Sequence, residues 1–526
     1  MTFAGTGVLV RFLLRLDRVR LAVWVLGIVL LVWATAASTK GLYSTQADLD
    51  AAAQPMYDNA AVTALNGPTY GIDTMGGQIV FQVGSFGYVV MGLMGMFLVG
   101  RHTRADEEAG RTELIRATVL GRNAPVTAAL IVAGAAVTVV GALITLVMRS
   151  QDLPLGGSIA FGAAMAGFGI VFASVTAVTA QVTEHNRASY GITGALLGGA
   201  YIVRAVGDIG SGALSWLSPM GWAQSVRPYA GERWWPLGLM AAASVALVAV
   251  AYALLTRRDL GGGLVAPRPG APAGSRWLGR PWGLVLRLQR ASLIGWTLGL
   301  AVTGVAYGSL GKDVGDLVGD NADVEAMIAQ AGGSLTDSFF ATSLLMVALI
   351  GAGFSVASVL RLRSEETGGT AEQLLATAMS RGRWFGSHLA LAALGTVLVL
   401  AAAGLGMGLA YGLSIGDLSS VPELVGAAVA FAPATWVLIG VGLALHGLAP
   451  RAVAVTWGVL ALCFVVGLLG ELLDLPAWVV ELSPFQHVPA MPAAEFAALP
   501  LVVLTAVAAG LVGLGVIGYE RRDTGY

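Results

Sequence analysis

A nineteen-residue polar segment occurs twice in this chain. RADEEAGRTELIRATVLGR starts at Arg104 and RSEETGGTAEQLLATAMSR at Arg363, and seven of the nineteen positions agree without a gap. The identities are Arg104/Arg363, Glu107/Glu366, Gly110/Gly369, Glu113/Glu372, Ala117/Ala376, Thr118/Thr377 and Arg122/Arg381. The chain around them is 56% hydrophobic, so shared apolar character cannot produce a match between polar segments. Other echoes follow in the same order. RLDRVRLAVWVLG from Arg15 returns as RLQRASLIGWTLG from Arg287, LSPM from Leu217 as LSPF from Leu482, and RRDLG from Arg257 as RRDTG from Arg521. A chain that repeats its landmarks in order is expected to fold as two related halves.

Only 12% of the residues are charged, against about 25% in a soluble protein. The predicted class is an all-α integral membrane protein. A crossing needs about 20 mostly apolar residues, and six such runs occur in each half. The first half has 21–39, 80–100, 125–148, 157–181, 188–206 and 236–256. The second has 291–309, 338–360, 386–411, 424–447, 452–471 and 498–519. Residues 1–260 and 284–526 are therefore read as two six-span halves related by a pseudo-twofold. The Gly/Pro-rich stretch 261–283 connects them.

Arginine sets the sides. It collects before span one, between spans two and three, in the connection, between spans eight and nine, and at the end of the chain. With twelve spans all these segments share one side, which the positive-inside rule makes cytoplasmic. Both termini then lie inside. The opposite loops, 40–79 and 310–337, are acidic. Arg11, Arg15 and Arg18 stand at helical spacing and predict a basic amphipathic helix on the inner surface. The repeat at Arg287 and Arg290 supports that reading over a generic basic flank. The apolar run after Leu21 is read as a retained span, since a similar sequence opens the second half, where no cleavable signal could act.

Much chemistry is excluded. No GxxxxGK[ST] loop occurs, so the chain has no means of cradling a nucleotide triphosphate in that way. No HExxH occurs, the five histidines form no ligand pattern, and Cys463 is the single cysteine; no metal site is expected. The spans carry few ionisable groups, with Arg204 and Asp208 the main pair. Ion-driven transporters use such groups at mid-membrane.

The doubled E-x-x-G-x-x-E (Glu107, Gly110, Glu113; Glu366, Gly369, Glu372), the basic segment before span one and the six-span halves resemble the ABC type-2 exporter permeases. In fused twelve-span form the chain is similar to actinobacterial permeases for polyketide antibiotics, the tetronasin type, and to related multidrug exporters. That resemblance implies a non-enzymatic permease subunit. It implies two copies of a separate cytoplasmic ABC ATPase, which binds the ATP and Mg. It implies that the loop between spans two and three couples to that ATPase, through Arg104, Glu107, Gly110, Glu113, Arg363, Glu366, Gly369 and Glu372. The loop between spans four and five is a second contact, carrying Arg187 and Arg451. Glu107 and Glu113 are expected on a partner-facing surface, and glycine is expected to permit a sharp turn. The turns at Leu217 and Leu482 are expected to re-enter the membrane from outside.

The resemblance also implies a substrate cavity between the halves, near spans two and five of each. The aromatic and methionine residues there, which adapt to varied apolar ligands, are Phe81, Phe86, Tyr88, Met91, Tyr190, Tyr201, Phe339, Phe340, Met346 and Trp457. The rival readings are an ion-coupled secondary drug transporter and a non-transporting membrane assembly protein.

Overall fold

The computed structural model describes residues 3–57, 59–116, 120–259, 261–265, 273–314, 334–377, 379–470 and 475–522. The described residues are helical, with no strand among them. They form two compact units, Met1–Pro269 and Gly270–Tyr526. Most of the acidic loop expected at 310–337 and part of the connection lie outside the described residues.

In the first unit the main helices are α1 (Thr6–Leu16), α2 (Arg18–Leu42), α3 (Met75–Gly100), α4 (Ala124–Ser150), α5 (Leu155–Val182), α6 (Asn186–Ile209) and α7 (Trp235–Leu255). In the second they are α8 (Pro281–Leu310), α9 (Leu335–Thr367), α10 (Arg381–Ile415), α11 (Ser420–Val429), α12 (Ala432–Leu448), α13 (Val455–Leu469) and α14 (Ala498–Arg521). Among the described residues eleven helical segments are long and apolar enough to cross a membrane, with α11 and α12 together making one of them. The step between α11 and α12 falls just before Pro433, which has no amide hydrogen to donate.

Two expectations change. The run at 452–471 forms only the fifteen residues of α13. At 1.5 Å per residue that is about 22 Å, short of the roughly 30 Å hydrocarbon core. The basic helix also differs between halves. In the first unit α1 ends at Asp17, and its basic residues are exposed while Leu9 and Leu13 bury against Ala124, Ala128 and Val132 of α4. In the second unit Arg287 and Arg290 lie within the uninterrupted α8. The residue at the join explains this. Asp17 leaves the helix (φ −100, ψ 10) and is fully buried against His102, with Arg101 at 3.2 Å and Arg20 at 3.3 Å. Its counterpart Gln289 stays helical and accepts from Ser358 at 2.8 Å.

Each unit has its own core. Met91, Val137, Phe161, Met165, Phe168 and Phe172 centre the first, on α3, α4 and α5. Phe340, Phe354, Val399, Met407, Phe431 and Leu438 centre the second. The Ser-Pro turns close them: Met220 and Phe485, each just past a Ser-Pro pair, are buried in these cores. Helices approach closely where small residues meet, as membrane helices do for lack of a hydrophobic force between them. A Cβ on Gly447 of α12 would meet the carbonyl of Gly515 of α14, and one on Gly515 the carbonyl of Leu443. In the segment after α2, Thr45 and Asp48 make a reciprocal cap. The Thr45 and Ser44 amides hold the Asp48 carboxyl below its ordinary range.

Candidate functional site

The duplicated segment folds alike in both units. After α3 the chain passes through a π-helical turn (Arg101–Ala105) and one short turn (Asp106–Glu108) to Gly110, then into the helix Arg111–Arg116. After α9 it reaches Gly369 and the helix Thr370–Leu375. Gly110 has φ +69 and Gly369 φ +73, a left-handed conformation that costs a side-chain-bearing residue energy. A Cβ at either position meets nothing within 4 Å, so the cost of substitution is backbone strain alone. Gly110→Ala and Gly369→Ala are each expected to lose about 1 kcal/mol, read as a lower thermal midpoint. Gly382→Ala, within a helix and also uncrowded, should show no such loss.

The glutamate before each glycine sits in an arginine clasp. In the first unit Arg104, on the same turn, donates to Glu107 Oε2 at 2.6 Å. Arg258, just beyond α7, donates through Nη2 to Oε1 at 2.6 Å and through Nη1 to Oε2 at 2.9 Å. Arg122, at the far end of the duplicated segment, donates to the Arg258 carbonyl at 3.0 Å. In the second unit Arg363 donates to Glu366 Oε2 at 3.2 Å. Arg522, just beyond α14, donates to both Glu366 oxygens at 2.6 Å. Arg381 donates to the Arg522 carbonyl at 3.0 Å. Four equivalent positions are joined in both halves, with Arg258 gripping its glutamate through two nitrogens and Arg522 through Nη2 alone.

The surroundings differ. Gln181 of α5 accepts from Arg258 Nε at 2.7 Å. In the second unit a buried His446 of α12 occupies the comparable place, 3.2 Å from Glu366 and 3.3 Å from Arg522. Arg104 also donates to the carbonyls of Thr183 and Gly262. Glu108 accepts from the Asn186 amide at 2.9 Å and faces His185 at 3.2 Å, which ties the loop after α3 to the start of α6. Thr367 stands where a second such carboxylate would be, and its hydroxyl donates to the Arg363 carbonyl at 3.1 Å.

These facts correct one expectation. Glu107 and Glu366 do not stand on an outward surface; their side chains are 7% and 10% exposed. An arginine from the last helix of the same unit holds each one. Glu113 and Glu372 are exposed, as are Arg187 and Arg451. Arg104 is buried and Arg363 half-buried. Ala117 and Thr118 of the repeat, and the Arg116 side chain, lie outside the described residues.

Within its own unit each expected cavity residue has the following surroundings. Met91 and Phe340 are core side chains. Tyr190 packs edge-on against Phe97, and Tyr201 donates to the Leu65 carbonyl at 2.6 Å. Met346 lies 3.7 Å from the Tyr307 hydroxyl, and Phe339 packs on Phe340. Phe86 and Trp457 are 60% and 43% exposed. Phe81 and Tyr88 share a cavity of about 30 Å³ with Asn66, Tyr70, Ser85 and Gln224. That is room for water and far below the roughly 300 Å³ a drug-sized ligand needs. Arg204 and Asp208 pair at 3.5 Å, and Arg204 also donates to the carbonyls of Thr63 and Leu65.

A family model described as the C-terminal domain of the multidrug efflux system permease Rv1217c matches residues 278–520. The multidrug efflux system permease protein Rv1217c of Mycobacterium tuberculosis is 43% identical over 525 residues, covering 99% of this chain and 95% of that protein. The chain belongs to the Rv1217c family of multidrug efflux permeases. Family membership agrees with the exporter resemblance carried by the doubled loop, and with a multi-pass, membrane-embedded permease rather than an enzyme. In this Rv1217c-family permease the sequence reading overlooked Arg258, Arg522, Gln181 and His446. The signal for the first two was visible, since the RRD echo and the glutamate echo recur together.

Proposed function

We propose that this chain is the membrane pathway of an exporter for apolar or amphipathic compounds, driven by two copies of a separate cytoplasmic ABC ATPase that bind the ATP and Mg. The observation that carries this reading is the full-length similarity to a permease of a multidrug efflux system. The doubled inner loops supply two equivalent attachment points for two copies of one partner. Glu113 and Arg187 in the first half, and Glu372 and Arg451 in the second, are exposed charges available to that partner. ATP binding closes the ATPase pair, displaces both loops and moves the spans. In this reading α13 serves as a twelfth, short crossing, so both termini are cytoplasmic and the protein resides in the cell membrane.

The test is transport in proteoliposomes. The purified chain alone is expected to show no ATP hydrolysis. With its ATPase it should export an apolar dye in an ATP-dependent manner that survives collapse of ion gradients. Asp208→Asn with Arg204→Gln should leave that export in place, since the pair is a structural contact. Export that needs no ATPase and stops with a proton uncoupler would instead establish the ion-coupled reading.

A further inference from the structure

We infer that Glu107–Arg258 and Glu366–Arg522 are two corresponding ties that carry displacement of the inner loop into the last helix of the same half; this rests on the ATPase-driven reading above. Glu107, Glu366, Arg258 and Arg522 are positioning residues, acting on the pathway through the helices they join.

Three observations support the tie. The first is connectivity. Each duplicated segment is held at both ends by one residue: its glutamate takes the side chain of Arg258 or Arg522, and its terminal Arg122 or Arg381 takes that residue's carbonyl. Two contacts therefore join each segment to the end of the last helix of its half. The second is burial with alignment. The side chains of Glu107 and Arg258 are 7% and 4% exposed and make two parallel N–H···O contacts. Such a fork transmits direction as well as load.

The third is energetic. A buried ion pair is a poor way to add stability, because desolvation offsets most of the attraction and an apolar pair serves as well. The arrangement nonetheless occurs twice, while its neighbours diverge to Gln181 in one half and His446 in the other. The arginine–glutamate contact itself is what both halves share, the two-nitrogen fork being a feature of the first half. The two ties are also unequal. Arg104 in the first half has the Thr183 and Gly262 carbonyls as additional anchors, and Arg363 has no counterpart to these among the described contacts.

The experiment uses the assembled permease–ATPase complex in proteoliposomes, with rhodamine as the exported dye. Glu107→Cys and Arg258→Cys are combined in a Cys463→Ala background. Dye exported per ATP hydrolysed is compared before and after joining the two cysteines with a short phenylene bismaleimide. The ratio is expected to fall about tenfold in the unjoined protein and to return to within about threefold of the parent once joined. A purely stabilising role would move the thermal midpoint without changing the ratio, so both are measured. An unjoined variant with the parent's ratio overturns the tie, as does a loss that the linker fails to relieve. A Glu107→Met and Arg258→Met pair covers the case where the cysteine protein does not fold. It should retain the thermal midpoint while losing the ratio, and a retained ratio counts against the tie. If the parent complex itself exports without ATP, the ATPase reading falls; if the parent is ATP-dependent and the variants stay coupled, only the tie falls.

Discussion

Glu366→Lys opens the loop that follows α9 in the second unit. The substitution removes the carboxylate that Arg363, Arg522 and His446 share and places a fourth cationic or polar group among them. Breaking a buried pair from one side costs about 3–5 kcal/mol, because the remaining charge keeps its desolvation penalty and loses its partner. The loss is local, since the clasp joins a loop and a helix end and lies outside the apolar core. Trypsin is expected to cut the variant at Arg363 and Arg381 under conditions where the parent resists. Glu366→Gln, which keeps shape and some hydrogen bonding, should fall between the two. Glu107→Lys should behave alike in the first half, where Arg104 and Arg258 would be left facing a cation. Equal resistance of parent and Lys variants would show that the clasp does not hold the loop. Loss of partner binding in these variants would therefore report a disordered loop and not a missing surface contact.

Gly447→Val should have an effect of similar size for a different reason. Its Cβ would collide with backbone of Gly515, and backbone cannot move aside as a flexible side chain can. Gly515 and Gly518 press back against Leu443 and Gly447, so α12 and α14 have no room to slide. Forcing them apart costs about 3 kcal/mol from overpacking, and it bears on the close contacts that also join Gly440 to Ala508 and Leu511. The purified variant is expected to lose its single symmetric peak on size exclusion in mild detergent and to unfold at lower temperature. Gly510→Val, on the same helix with nothing within 4 Å of its Cβ, should be tolerated. Parity between the two valine variants would contradict the packing described.

The span helices were legible because their signal is local. An apolar run of sufficient length in α2 to α10 or in α14 announces itself through composition, and the bilayer's thickness sets its length. The glycines of the loops were legible for a related reason: Gly110 and Gly369 recur between polar helices, and a left-handed turn is a demand of local backbone geometry. Where the sequence reading went astray, the deciding contact was distant. Glu107 reads as a surface acid in its own segment, yet its partner Arg258 lies 151 positions away; Glu366 and Arg522 are 156 apart. Phe81, Met91 and Phe340, named for a substrate cavity from the exporter resemblance, are buried side chains, and packing and binding ask for the same residue types.

The amino-acid order alone therefore carried the duplication, the all-helical membrane class and the lack of a nucleotide loop, since each depends on local pattern or on presence and absence. Folding chose which charges face outward. An ion pair forms according to which helix ends meet, and that meeting follows from how the helices of one unit pack. No window of sequence contains it. The RRD and E-x-x-G echoes are the one place where the two kinds of information touch. Both were written in the chain twice, and their convergence at Glu107 and Glu366 gives them a common physical meaning.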